Sequence, residues 1–145
     1  VERRSFDHVI QLNPRRLSWG VATSGLGGRS LTRGIASSAT VVASTASLAD
    51  AAATAVGNAS FVEDAHVEWR LAEELDPLTD IPGIPVTVRV GPVGREKREE
   101  ALSKALARAE ELVARGVVFG ALVAVDGEIG MTGFIRDCLV TDCQM

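Results

Sequence analysis

A carboxylate and a hydroxyl stand four residues apart in the run Leu48-Ala49-Asp50-Ala51-Ala52-Ala53-Thr54-Ala55. In a helix, residues at i and i+4 lie one above the other on the same face. Asp50 and Thr54 would then offer two hard oxygen ligands to a divalent cation. The alanines around them would let backbone or a large ligand approach closely. A purely local role is also open, and spacing alone favours it. Ser47, with Asp50 three residues on, has the outline of a capping box, and a helical Thr can bond back to a carbonyl one turn earlier. The two roles are compatible, because a carboxylate has several lone-pair sites.

The second chemistry-bearing stretch is the glycine loop from Ser24 to Gly34, SGLGGRSLTRG. Gly25, Gly27 and Gly28 allow backbone N–H groups to converge on an anion. Arg29 and Arg33 would add charge-assisted bonds to phosphate, and Ser24, Ser30 and Thr32 would add hydroxyls. Neither GxGxxG nor the Gly-Lys-Ser/Thr of a P-loop is present, and a flexible hairpin connection accounts for the same composition.

Other candidate chemistries fare worse. Ser24 lacks the GxSxG elbow, and neither His8 nor His66 has an evident partner for a nucleophilic triad. Cys138 and Cys143 are five apart with no patterned histidine beside them, and read as two reduced thiols. Trp19 and Trp69 read as core or rim residues, and Glu73, Glu74 and Asp76 as a solvated helix end.

These groups need a scaffold, and the composition provides for one. The chain has 145 residues, enough for one domain with a core, and 46% are hydrophobic. Aromatics make up only 4%, so Ala, Val, Leu and Ile must fill the interior. Fifteen basic against nineteen acidic side chains, a net charge of −4, give no support for nucleic-acid binding. No apolar run is long enough to span a bilayer. The chain begins at Val1 with nothing resembling a signal peptide. The expectation is a cytoplasmic chain that starts at a processing site or, preferably, part-way through a longer protein.

Periodicity lays out the elements. Strands are expected at Phe6 to Leu12, Trp19 to Ser24, Thr40 to Ala43 and Val86 to Val90. The alanine helix should start at Ala46 or Leu48, capped by Ser47, and end at Val56 before Gly57-Asn58. A shorter helix is expected from His66 to Leu75, then an irregular connector through Pro85. Glu96 to Arg115 is the clearest helix, with Leu102, Leu106, Ala109 and Val113 on one face and Gly116 as its stop. Val117 to Val125 and Ile129 to Ile135 flank Asp126-Gly127, a hairpin signal. Strands and helices mix without βαβ alternation, which points to an α+β domain over residues 1–145 with a largely antiparallel sheet.

Taken together, TSGLGGRS, the strand SATVV and the helix LADAAATAVGN resemble the flavin transferases of the ApbE type and, more closely, a related group of ApbE-like proteins. The likeness runs from about Trp19 to Asn58, and more loosely through Gly133. In the transferases an SVTV-like strand leads into a helix of the form ADALATA, whose Asp and Thr bind magnesium. Asp50 and Thr54 fall on those positions, and Ala22-Thr23-Ser24-Gly25 is similar to the ATSG turn. The HIxDPxTG segment of the transferases is replaced here by the shorter GGRSLTRGIA. The resemblance implies a T-fold-related domain forming the C-terminal part of a longer protein. It also implies an Mg²⁺-dependent enzyme that splits FAD and joins the FMN half, through phosphate, to a Ser or Thr of an acceptor flavoprotein. Ser24, Gly25, Gly27, Gly28, Arg29 and Ser30 would then face the dinucleotide. A flavin- or phospholigand-binding module without turnover, and a domain of a larger flavin/iron–sulfur enzyme, are the alternatives.

Overall fold

The structure, a computed structural model, describes residues 8–140. Its main sheet joins β2 (Gly20–Ser24), β3 (Ser38–Ala43), β6 (Gly120–Val125) and β7 (Glu128–Met131), all antiparallel, in the order β2-β3-β6-β7. β4 (Val67–Leu71) pairs with β5 (Pro85–Val90) in a separate antiparallel ribbon. β1 (Val9–Ile10) pairs with β8 (Leu139–Val140), drawing the two ends of the described chain together. The helices are α1 (Ala46–Ala59), α2 (Ala72–Leu75), α3 (Arg95–Ala114) and α4 (Gly133–Cys138). The protein is α+β with antiparallel pairing throughout its described strands.

Alternation on the central strands decides which face carries the core. Register aligns Ala39 with Val123 and Val41 with Ala121; all four are buried, with Ala43 and Val125, beneath α1 and α3. Ala49, Ala52, Ala53 and Val56 of α1 and Ala101, Ala105 and Ala109 of α3 fill the seam. The expected face of α3 is turned by about one residue. Ala101, Ala105, Ala109 and Leu112 are buried, while Leu102, Leu106 and Val113 pack half-buried around them.

Two stop signals act as expected. Gly116, at φ 71°, closes α3, and the Val117 and Gly116 amides bond the Leu112 and Val113 carbonyls at 3.0 and 2.9 Å. Asp126 and Gly127, at φ 45° and 84°, make the tight turn between β6 and β7.

Four expectations need correction. Thr45, not Ser47, caps α1, its Oγ1 accepting the Leu48 amide at 3.3 Å. The helix also continues through Gly57 and Asn58, because Ser60 takes over the capping and Asn58 is used as a tether. The segment from His66 is a strand before it is a helix. Val67, Trp69 and Leu71 alternate, and pairing with β5 overrides the helical preference until the single turn of α2. Finally, β7 stops at Met131 instead of reaching Ile135. The buried Thr132 accepts the Ala121 amide on its Oγ1 at 3.1 Å, and Gly133 starts α4. The described chain thus ends on α4 and β8, not on a hairpin. Of the expected first strand, Phe6 and Asp7 lie outside the described residues, as does Cys143.

Candidate functional site

The glycine loop is held between two elements. Its far end is tied to the C-terminal turn of α1: Asn58 Oδ1 accepts the Arg33 amide at 2.9 Å and the Thr32 hydroxyl at 3.4 Å. Ser60 Oγ, buried, accepts the Ala36 amide at 2.8 Å and donates to the Gly57 carbonyl at 2.6 Å. From the other side β5 reaches in. The Thr87 amide bonds the Thr32 carbonyl at 2.7 Å, and the Thr87 hydroxyl donates to the Arg33 carbonyl at 3.1 Å. None of these tethers is legible in the sequence, where Asn58 reads as part of the helix stop, Thr87 as a strand residue, and Ser60 carries no signal of its own.

The near end of the loop is a tight turn. Gly25 has φ 137°, and a Cβ there would sit 2.8 Å from both the Ala36 and Ser37 carbonyl oxygens. The amides of Leu26, Gly27 and Gly28 donate to the carbonyls of Ala36, Ser37 and Gly25 at 3.0, 3.3 and 3.0 Å. These three donors serve the fold. Ser24 closes β2, half-buried, with its side chain toward Gly57 of α1.

Beyond this turn Arg29 and Ser30 are exposed, and they border a cavity of about 540 Å³ together with Leu31 and Thr54. The opposite wall comes from the connector after α2, with Asp76, Thr79, Asp80 and Ile81. The structure therefore brings Arg29, Ser30 and Thr54 to one cavity, while Ser24, Gly25, Gly27, Gly28 and Asp50 are not in its lining. Among the described residues, Arg29 has no ion-pair partner. The lining is of mixed sign: a guanidinium and hydroxyls that suit phosphate, and carboxylates and hydroxyls that suit a hard cation.

Asp76 and Asp80 are the residues that sequence reading missed. Asp76 looked like a solvated helix end and Asp80 like part of a proline-rich connector. The spacing of two acids within Asp76-Pro77-Leu78-Thr79-Asp80 was the available signal. Asp76 shapes the connector itself: its Oδ1 accepts the Leu78 amide and its carbonyl the Thr79 amide, both at 3.0 Å.

Asp50 and Thr54 sit on one face of α1, one turn apart. The Thr54 hydroxyl donates to the Asp50 carbonyl at 3.1 Å, the back-bond that its position allows. Asp50 is exposed, and its carboxylate has no hydrogen-bond or ion-pair partner among the described residues. Neither group faces the aliphatic interior. Among the described residues, no three His, Cys, Asp or Glu side chains come together as a metal cluster.

A family model described as AbpE bacteria matches residues 1–131. The chain belongs to this family. No curated protein and no solved structure matches it. The match spans both the glycine loop and α1, so the family pattern includes the elements that border the cavity. It also takes in the connector carrying Asp76 and Asp80 and reaches the end of β7. No described helix is long and apolar enough to cross a membrane.

Proposed function

We propose that this chain carries the phosphate- and cation-handling part of an ApbE-type, Mg²⁺-dependent FAD:protein FMN transferase. The observation that carries this reading is the shared cavity, where Arg29 and Ser30 of the glycine loop meet Thr54 of the alanine helix. The family match supports the ApbE-like part of this reading, and the transferase part rests on the likeness of the ATSG turn and the ADAAATA helix.

The donor set suits the implied cation. The Asp50 carboxylate is unpaired among the described residues, and the Thr54 oxygen keeps its lone pairs while its proton goes to the Asp50 carbonyl. Asp50 and Thr54 would hold Mg²⁺, which when bound neutralises charge on the pyrophosphate oxygens. Arg29 would pair with a phosphate, and Ser30 would donate to another of its oxygens. In the reaction, the hydroxyl oxygen of an acceptor Ser or Thr bonds to the phosphorus of the FMN half. The bond from that phosphorus to the AMP oxygen breaks, AMP leaves, and the hydroxyl proton passes to water. Positioning and charge carry such a transfer more than a strong base does.

The test uses the full-length protein with FAD, Mg²⁺ and an acceptor flavoprotein. AMP should appear in equal amount with protein-bound FMN. Asp50→Asn or Arg29→Ala should slow release by on the order of 100-fold. Absence of AMP with metal and acceptor both present would overturn the enzyme reading. A second reading, a module that binds flavin or another phosphorylated ligand without turnover, is favoured by the place of Asp50 outside the cavity lining. Stoichiometric, uncleaved FAD retained by the purified protein would decide for it.

A further inference from the structure

We propose that a second cavity, beside the Phe61–Trp69 pair, binds a small organic cation with an apolar body. It has a volume of about 510 Å³ and is walled by Phe61, Ala65, Trp69 and Pro85, with Glu63 and Asp64 as its charged lining. Pockets of about 300–1,000 Å³, mostly apolar with a few polar groups, are typical of small-ligand sites. The two rings lie 5.5 Å apart at 41°, a tilted arrangement. Aromatic faces are negative, so they attract a cation and offer nothing to an anion.

The carboxylates give the cavity its sign. Asp64 uses Oδ1 for both bonds from His66, to the backbone amide and to ring Nδ1, each at 2.8 Å. Its other oxygen, and both oxygens of the exposed Glu63, have no partner among the described residues. The His66 bonds also hold the Asp64 carboxyl below its ordinary range, keeping it ionised. The nearby lysines turn toward one shared carboxylate, and the Lys97 charge is the smallest of the influences that lower the Asp64 pKa. Lys97 and Lys104 reach Glu100 at 3.0 and 2.9 Å, and Lys104 also donates to the Phe61 carbonyl at 3.0 Å. Two carboxylates beside aromatic walls select a positive charge attached to a hydrophobic group. This cavity shares no lining residue with the Arg29–Thr54 cavity, so its test is independent of the flavin reading.

Trp69 supplies the readout. Its indole N–H is shielded from solvent and has no acceptor among the described residues, so its NMR resonance reports on this wall. Benzyltrimethylammonium, benzyl alcohol and benzoate are titrated in turn into the ¹⁵N-labelled full chain. The Trp69 resonance is assigned by its loss in Trp69→Phe. The ammonium probe should give a saturable Trp69 shift, bind about tenfold more tightly than the alcohol, and leave Trp19 unmoved. Benzoate should not bind. Glu63→Gln, at an exposed position, should weaken the ammonium probe about threefold to fivefold and leave the alcohol unchanged. Equal affinity for the three probes, insensitivity to Glu63→Gln, or no saturable shift up to about 20 mM would each overturn the proposal.

Discussion

Ser60 Oγ accepts the amide of Ala36 at 2.8 Å, bridging 24 residues between the end of α1 and the end of the glycine loop, and both groups are buried. Removing the hydroxyl leaves the Ala36 N–H without a partner and out of reach of water. Ser60→Ala is therefore expected to destabilise the protein by about 1–3 kcal/mol, read from the urea midpoint. Hydrogen exchange at Ala36 should accelerate more than at Val123 in the same variant.

Gly34 lies against the same helix end. A Cβ there would run into the Gly57 carbonyl oxygen and the Ser60 hydroxyl, and the carbonyl is backbone that cannot swing aside. Gly34→Ala is expected to cost more than about 3 kcal/mol. Gly133→Ala is the matched control, because a Cβ there meets nothing within 4 Å. It should leave the melting temperature unchanged or raise it slightly.

Asp50 is exposed and unpaired among the described residues, so Asp50→Asn should change stability by less than about 0.5 kcal/mol. A normal thermal melt alongside lost AMP release would therefore locate the defect in the chemistry. A large drop in melting temperature would show instead that the carboxylate serves the fold.

The Asp64–His66 contact makes a statement about pH. The His66 amide bond, and after it the bond from the ring, lowers the Asp64 pKa. A carboxyl with a depressed folded pKa adds stability that is complete above its unfolded value, about 4, and is lost as pH falls through the folded value. Asp64→Asn should accordingly be less stable than the parent at pH 7, and the two should converge as acid is added. Urea midpoints measured from neutral to acid pH check this. A gap that stays constant with pH would mean the charge contributes nothing.

Arg98 fastens α3 to the β6–β7 turn. Its Nη1 reaches Asp126 Oδ2 at 3.2 Å and the Val93 carbonyl at 3.3 Å, and its Nε reaches Glu128 Oε1 at 3.3 Å. Arg98→Ala is expected to cost about 0.5–1.5 kcal/mol, with the difference from the parent shrinking in high salt. Denaturation at low and high ionic strength tests both parts.

The parts of this fold legible in the sequence are those in which local signals and tertiary packing agree. Asp126-Gly127 and Gly116 require positive φ and have it, the β-branched run of β3 lies where the core demands it, and α3 forms where its periodicity places it, with its buried face turned by about one residue. The failures came where long-range pairing decided the outcome. His66 to Leu75 carries residues suited to a helix, yet Val67 and Trp69 are drawn into a ribbon with β5. The cavity was half legible. Arg29, Ser30 and Thr54 stood out by type and spacing, while Asp76 and Asp80 come close to them only through the path of the connector after α2. The tethers at Asn58, half-buried, and at the buried Ser60 and Thr87 carry no local signature at all.

The helix-to-helix seam has a thermodynamic corollary. Ala49, Ala52 and Ala53 on one side and Ala101, Ala105 and Ala109 on the other have no rotamers to freeze when the interior assembles. Each contributes little transfer free energy from water, yet each also surrenders almost no side-chain freedom. A larger residue on either side would have to wedge the two layers apart, so this interior tolerates deletion of a methyl group better than its addition.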